Sequence, residues 1–216
     1  MGKETLISHF VDNHRFTWFI FQRTKNYSIC EIEHSGSFKG CIVRNGGKDN
    51  RVIIESGAAL RFCTISFQGN NNTLIIRKNA VVNGCVFFFD DDCNTIDIGE
   101  KSTFTGKTEF ITTEGTRIDI GRDCMFAYGI VLRTGDHHSI FGNDNSRINL
   151  SKNIKLGDHI WVGQNAFILK GVKLRNGSIV GACSVVTKSQ SEENIVLVGN
   201  PARIAKTDIT WDRARA

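Results

Sequence analysis

Proline is nearly absent from this chain, which has one proline and 21 glycines among its 216 residues. Average usage would place about ten prolines in a chain of this length, so other residues make its turns. Because proline has no backbone N–H, its scarcity favours a fold in which nearly every N–H donates to a neighbouring strand. The length and the hydrophobic share of 40% exclude a disordered or collagen-like chain and favour a single globular domain.

Long apolar runs are also absent. No stretch of 18 or more apolar residues occurs, so we expect no membrane span. The first residues, MGKET, show no basic segment leading into an apolar one, so no secretory signal is expected. The seven cysteines include no CxxC pair, which predicts reduced thiols and a cytoplasmic location. The net charge of +5 is too small to predict nucleic-acid binding but is compatible with an anionic ligand.

Internal repetition is the strongest positive signal, with a period of 22 residues in the N-terminal half. Three columns of like residues recur at this spacing: Ile54, Ile76, Ile98 and Ile120; Asn50, Asn72, Asn94 and Thr116; and Cys41, Cys63 and Cys85. Such columns predict stacked coils about 4.8 Å apart, in which equivalent residues lie above one another. The cysteines are then interpreted as buried, inert thiols and the asparagines as corner caps or an amide ladder.

The C-terminal half repeats every six residues. The aliphatic series at this spacing is Leu150, Leu156, Val162, Ile168, Leu174, Val180 and Val186. Three faces of six residues give a coil of 18, and a 22-residue coil adds about four at a corner. The 36 residues from Ile120 to Leu156 are accordingly interpreted as two coils. The sequence thus predicts an all-β protein with a parallel β-solenoid over residues 36–201.

Three segments depart from the repeat. Residues 133–149, RTGDHHSIFGNDNSRIN, are polar and carry two of the six histidines, which predicts a projecting loop of the kind that often forms a binding face. Residues 1–35 are rich in aromatic side chains and are predicted to cap the first coil. Residues 202–216 follow the lone proline, Pro201, and are predicted to form a C-terminal tail.

The repeats resemble those of a known family. Leu156-Gly157-Asp158-His159-Ile160-Trp161, then Val162-Gly163-Gln164-Asn165-Ala166-Phe167, and the closing Gly199-Asn200-Pro201-Ala202-Arg203 are similar to the hexapeptide-repeat acyltransferases. The resemblance covers roughly residues 40–210 and implies a left-handed parallel β-helix, a homotrimer and acetyl-CoA as co-substrate. Leu132-Arg133-x-x-Asp136-x-His138-x-Ile140-Phe141, Arg147-Ile148-Asn149 and the tail to Trp211 resemble the capsule polysaccharide O-acetyltransferases more narrowly, including those acting on polysialic acid.

Acetyl transfer to a sugar hydroxyl needs a base, donors for the oxyanion and a groove for the coenzyme. The resemblance implies that His138 is the base, and a one-residue shift of the alignment would exchange it with His137. Asp136 is either the carboxylate that orients the imidazole or a turn residue. The resemblance also implies that Trp161 contacts the acetyl and sugar groups through its backbone N–H or its ring. No metal is expected.

The coenzyme arm needs close approach to the backbone, which Gly163, Gly181 and Ala182 allow. The family's similar strings imply that the phosphate end meets charged and polar residues near the last coil. The coenzyme candidates are Gly163, Gly181, Ala182, Thr187, Lys188, Pro201, Arg203 and Lys206.

Other functions stay open at this stage. Zinc enzymes of the carbonic-anhydrase type share the β-helix, but adjacent histidines such as His137 and His138 are poor joint ligands, even with His159 as a third. A non-catalytic scaffold and acetylation of another sugar or of an amino-sugar nitrogen are the remaining alternatives. The sequence does not identify the acceptor or the hydroxyl that is acetylated.

Overall fold

The computed structural model describes residues 4–12, 15–23 and 30–214, the first two ranges as backbone only. The described residues form strands and turns and contain no helix. The strands make three sheets, and the chain visits them in the repeating order B, C, A.

Sheet A contains, in spatial order, β1 (Glu4–Asp12), β2 (Arg15–Arg23), β5 (Cys41–Asn45), β8 (Thr64–Phe67), β11 (Val86–Phe89), β14 (Glu109–Thr112), β17 (Val131–Arg133), β20 (Phe167–Ile168) and β23 (Val185–Val186). Sheet B contains β3 (Glu31–His34), β6 (Arg51–Ile54), β9 (Thr73–Ile76), β12 (Thr95–Ile98), β15 (Arg117–Ile120), β18 (Ile154–Leu156) and β21 (Lys173–Leu174). Sheet C contains β4 (Ser37–Lys39), β7 (Ala59–Arg61), β10 (Val81–Asn83), β13 (Thr103–Gly106), β16 (Met125–Tyr128), β19 (Trp161–Val162), β22 (Ile179–Val180), β24 (Val196–Gly199) and β25 (Ala202–Lys206).

The 22-residue columns are the register of the stack, as predicted. Ile54 pairs with Ile76 and Ile76 with Ile98 in parallel ladders, so each isoleucine lies above its predecessor. Inward residues alternate with outward ones along each strand, and the inward ones fill a continuous core. Large aromatic rings stack inside sheet A, where the centroids of Phe87 and Phe110 are 5.0 Å apart. The prediction of a parallel solenoid is confirmed.

The asparagine column caps the corners. The Asn50 side-chain oxygen accepts the backbone N–H of Asn72 at 2.9 Å, and the Asn72 oxygen accepts that of Asn94 at 2.8 Å. The last member, Thr116, donates its N–H to the Asn94 oxygen at 3.0 Å. These side chains are buried, and each supplies an acceptor that the corner backbone of the next coil needs.

The cysteine column is buried and its thiols are free. A hydrogen bond to Cys63 together with burial raises the pKa of Cys41, and burial raises the pKa of Cys63. Both groups are therefore held as thiols, the less nucleophilic form, as the sequence interpretation required.

The interpretation of residues 120–156 as two coils is wrong. Ile120 pairs directly with Leu156, and Met125 pairs with Trp161, so the 36 residues are a single coil with a long insertion. Leu150, counted in the six-residue series, lies in the insertion and is 57% exposed. The insertion and an 18-residue coil have similar lengths, so spacing alone cannot tell one from the other.

The two ends of the stack differ from its middle. Strands β1 and β2 form an antiparallel hairpin whose second strand pairs with β5, and parallel stacking already includes β3, inside the segment assigned to the cap. The side chains before Cys30 lie outside the described part, so the aromatic cap stays a prediction. At the other end, β24 and β25 form an antiparallel hairpin, and Pro201 lies in its turn.

Candidate functional site

Three corners run along the stack, and each is named for the sheets it joins. The A–B corner carries the long insertion, residues 134–153, which we call the corner loop. The B–C corner precedes each strand of sheet C, and the C–A corner follows it. The candidate site residues are distributed over all three corners.

Asn149 organises the corner loop from inside. This buried amide donates to the His138 carbonyl and to Asp136 Oδ2, both at 2.8 Å, and accepts the Ile140 N–H at 2.7 Å. Lys170 of the next coil forms an ion pair with Asp136 and donates to the Asn149 carbonyl at 2.9 Å. The Lys170 ammonium holds the pKa of Asp136 below its usual range. Asp136 thus anchors the loop through Lys170 and Asn149.

The far end of the corner loop is tied to the coil before it. Arg147 forms an ion pair with Glu114, whose second oxygen accepts the Ser151 N–H at 3.1 Å. The hydrogen bond from Arg147 lowers the pKa of Glu114 to about 2. Both arms of the loop are therefore fixed by charge-assisted hydrogen bonds.

The two adjacent histidines have different surroundings. His137 Nδ1 lies 2.9 Å from Asp90 Oδ2, so the carboxylate–imidazole contact involves Asp90 where the sequence had suggested Asp136. The His137 backbone has φ 61°, a conformation that turns the chain sharply. The exposed His138 ring has no hydrogen-bond partner among the described residues. His138 is thus the imidazole whose nitrogens are both open to a ligand.

Trp161 is the first residue of β19, a strand of sheet C. Its ring faces outward, and the residue is 38% exposed. Its backbone N–H donates to the Ser178 carbonyl at 3.0 Å, as the stacking of coils requires. Of the two groups expected to contact the acetyl and sugar groups, the N–H is therefore occupied by coil stacking and the indole ring is available. Within one chain, sheet B separates Trp161 from the corner loop, so the structure does not bring Trp161 and His138 together.

The coenzyme candidates fall into two groups. Gly163, Gly181 and Ala182 lie at the C–A corner beside the β24–β25 hairpin, which carries Pro201, Arg203 and Lys206. Thr187 and Lys188 follow β23 and lie at the A–B corner, on the side of the corner loop. All of these except the two glycines are exposed.

The two glycines have a structural reason to lack a side chain. A Cβ on Gly163 would lie 2.6 Å from the Ala182 nitrogen, and one on Gly181 would lie 2.8 Å from a Val198 methyl. Their N–H groups already donate to Val180 and Leu197 carbonyls, at 2.7 and 2.8 Å. The glycines are therefore explained by coil stacking, and their backbone donors are not open to a coenzyme.

The sequence did not reveal a cluster at the B–C corner. The rings of His159 and Trp211 stack with centroids 3.9 Å apart, and the Trp161 ring lies 6.0 Å from that of Trp211. Asp123 pairs with both His159 and Arg213. In the sequence, Trp211 is only the end of the family-like tail, and no local pattern signals that it contacts His159, 52 residues earlier.

A groove of about 500 Å³ crosses sheet B and the B–C corner, away from the corner loop. Its charged residues largely pair with one another, as Arg77 does with Asp97 and Arg122 with Asp158. Within the described ranges, no group of three or more histidine, cysteine or acidic residues could hold a metal ion, and no helix is long and apolar enough to cross a membrane.

The repeating coil, the exposed histidine loop and the closing hairpin together define the class of left-handed β-helix acyltransferases. Two solved structures share the fold over most of the chain. The polySia specific acetyltransferase NeuO is 34% identical with a TM-score of 0.76, covering 87% of this chain and 84% of that one. The polysialic acid O-acetyltransferase OatWY is 32% identical with a TM-score of 0.76, covering 88% of this chain and 90% of that one.

A curated relative has the same name as the second of these solved proteins. The polysialic acid O-acetyltransferase of Escherichia coli O1:K1 / APEC is 37% identical over 92 residues, which are 42% of this chain and 30% of the relative. The chain matches less than half the length of the curated relatives. No protein-family model matches the chain. The two solved structures show that the chain belongs to the hexapeptide-repeat acetyltransferase family that includes the polysialic acid O-acetyltransferases.

Proposed function

We propose that this protein transfers an acetyl group from acetyl-CoA to a hydroxyl of a sialic-acid-containing capsular polysaccharide. The observation that carries the proposal is the similarity, over more than four fifths of the chain, to two solved proteins named for that acceptor. The free cysteines suit a reducing cytoplasm, where acetyl-CoA is available.

His138 is the proposed general base. Its open imidazole takes the proton of the acceptor hydroxyl as the hydroxyl oxygen attacks the thioester carbonyl, and returns that proton to the departing sulfur. His137 and its partner Asp90 hold the backbone beside it, and Asp136 ties the loop to Lys170. The Trp161 indole offers an N–H and an apolar face to the acetyl and sugar groups.

The site requires two copies of the chain. His138 and Trp161 lie beyond opposite ends of the strands of sheet B, so one chain cannot present both to one substrate. A cyclic assembly that sets the A–B corner of one copy against the B–C corner of the next joins them. We propose the homotrimer of the family resemblance, with three identical sites between copies.

The coenzyme candidates support the same arrangement because they too lie at separate corners. Thr187 and Lys188 flank the corner loop, and Ala182 and Arg203 lie toward the C–A corner. Lys206 lies at the other end of β25, opposite Val196 and beside the B–C corner. We propose that the pantetheine arm passes between copies, with these cations near its phosphates and Pro201 shaping the adjacent turn.

Arg133 supports an acidic acceptor. It ends β17, immediately before the corner loop, and its Nε atom is buried without a hydrogen-bond partner among the described residues. This nitrogen is shielded from solvent, so it is the terminal N–H groups of the guanidinium that match the planar carboxylate of a sialic acid. A neutral sugar or an amino-sugar nitrogen makes no use of this cation.

The experiment that tests the function is release of free thiol from acetyl-CoA with polysialic acid and with a neutral capsular glycan. We expect turnover with polysialic acid only, and its KM to rise with salt because exposed charge interactions are screened. Equal rates on both glycans at every salt concentration would remove the acidic acceptor from the proposal. Coenzyme binding without transfer to any glycan would favour a scaffold.

Paired variants assign the base. His138→Ala is expected to reduce turnover by about 10²–10⁴-fold with coenzyme binding retained, whereas His137→Ala reduces it less because that ring contacts Asp90. A larger loss in His137→Ala than in His138→Ala would transfer the role to His137.

A further inference from the structure

The C-terminal segment, residues 207–214, runs back along the B–C corner after the β24–β25 hairpin. It starts beside the last coil, where the Ile209 N–H donates to the Asn194 carbonyl at 3.0 Å. Most of the segment is exposed, yet Trp211 is buried, with 9% of its surface accessible. The buried residue is therefore the anchor of the segment.

Trp211 and His159 are joined by three contacts. Their rings stack with an interplanar angle of 13°, the Trp211 indole N–H donates to the His159 carbonyl at 3.1 Å, and His159 Nε2 lies 3.0 Å from the Trp211 carbonyl. Two residues later, Arg213 donates to Asp123 Oδ1 at 2.9 Å, to Thr103 Oγ1 at 2.8 Å and to the Cys124 carbonyl at 2.9 Å. The segment is thus fixed at two successive points.

Both nitrogens of the His159 ring face oxygen atoms. Nδ1 lies 2.7 Å from Asp123 Oδ2, and Nε2 lies 3.0 Å from the Trp211 carbonyl oxygen. The ring therefore joins a corner residue of the preceding coil to the C-terminal segment. The charged groups around it are Asp123 and Arg213, with the Arg122–Asp158 ion pair on the adjacent corner residues.

The left-handed backbone of His159 belongs to its corner. Its φ is 55°, and the equivalent residues of the other coils have the same conformation, including Lys101, Asp123, Gly177 and Asn194. The corner accepts several residue types, so its turn does not require a histidine, whereas the His159 ring holds Trp211.

We infer that Trp211 is a positioning residue for acetyl transfer, which fixes the Trp161 indole and is itself docked on His159. The Trp161 ring centroid lies 6.0 Å from that of Trp211 at an interplanar angle of 46°, so the docked segment limits where the Trp161 ring can turn. The inference rests on the proposed function for the role of Trp161, while the docking itself does not.

Docking is measured apart from activity by the NMR signal of the Trp211 indole N–H, assigned by its absence in Trp211→Phe. We expect this signal to be displaced from the free-indole position in the wild-type protein, because the indole N–H donates to the His159 carbonyl under the stacked His159 ring. His159→Asn introduces a residue that tolerates the corner conformation and removes the imidazole ring, so its signal is expected at the free-indole position. A wild-type signal position retained in His159→Asn would overturn the role of His159.

Activity tests the positioning. Trp211→Ala is expected to lower kcat at least tenfold with little change in the KM for acetyl-CoA, and Trp211→Phe to recover most of it because a ring again covers Trp161. Thr207→Ala, an exposed change in the same segment, is the control expected to leave kcat unchanged. Wild-type kcat in Trp211→Ala would overturn the inference. If the wild-type protein transfers no acetyl group, the proposed function fails, and the role of Trp211 in positioning Trp161 fails with it. The NMR result still decides whether the C-terminal segment docks on His159.

Discussion

Single corner residues determine whether one coil can be placed on the next. Asn50, Asn72 and Asn94 are buried, and each gives its side-chain oxygen to the backbone N–H of the residue 22 positions later. A turn in a stacked coil leaves N–H groups that the turn itself cannot satisfy. The asparagine side chain solves this locally, without a proline or an added water.

Asn72→Ala should therefore destabilise the stack. The change leaves the Asn94 N–H, whose acceptor now lies at 2.8 Å, buried without a partner, at a cost of about 1–3 kcal/mol. Chemical denaturation measures the free energy of unfolding. Asn143→Ala, in the exposed part of the corner loop, is the matched control and should change it by less than about 0.5 kcal/mol. Equal effects would show that the column does not contribute its hydrogen bonds to stability.

At the scale of elements, the corner loop is a long insertion held by ion pairs at both ends. Lys170 binds one arm through Asp136, and Glu114 binds the other through Arg147. Four of its apolar side chains are exposed, so packing does not fix it: Ile140, Phe141, Ile148 and Leu150. Charge-assisted hydrogen bonds are what give the loop one conformation, and its order should depend on pH.

The pKa of Glu114 sets the direction of that dependence. The folded-state pKa of about 2 is below the ordinary value of about 4.3, so the Arg147 contact stabilises the loop fully above the ordinary pKa. The contribution is lost as pH falls toward 2. Proteolysis of the loop by pepsin, followed from pH 5 to 2, should rise more steeply in the wild type than in Glu114→Gln, whose loop is already loosened at pH 5. Parallel pH profiles would contradict this assignment.

The elements also show what the sequence can and cannot predict. Columns such as Ile54, Ile76 and Ile98 predict the stacking correctly because a fixed register repeats like residues. Spacing fails at residues 120–156, since an insertion about as long as a coil preserves the period. Contacts such as His137 with Asp90 or Trp211 with His159 join residues 47 and 52 apart, and no local pattern encodes them. The candidate loop was thus predictable, whereas its anchors and the closing cluster required the fold.

At the scale of the whole molecule, the decisive fact is that His138 and Trp161 lie beyond opposite ends of the strands of sheet B. A solenoid of three flat sheets is rigid, so no bending of one chain brings these two corners together. The proposed site therefore belongs to an assembly of copies, and dilution below the dissociation constant of that assembly is expected to abolish activity.

Mixing two inactive proteins tests this arrangement. His138→Ala and Trp161→Ala should each lose most of their turnover, the second by about 10²-fold if the ring is a required contact. Unfolded together and refolded as a mixture, they should regain about a quarter of wild-type activity, because a random mixture pairs intact residues at one site in four. Separately refolded samples mixed without dissociation are the control. No recovery in refolded mixtures would place both residues in one chain's site.

The 22-residue register has a consequence for how such chains change length over generations. In sheet B the strand pairings and inward side chains recur at that interval from Ile54 through Ile120, and in sheet A one pairing, β11 with β14, spans 23 residues. A gene duplication or deletion that adds or removes one whole coil leaves each backbone donor facing an equivalent acceptor. A change of one residue within a strand turns inward residues outward. The natural unit of insertion and deletion in this half is therefore the coil, while corners such as the A–B corner accept segments of any length.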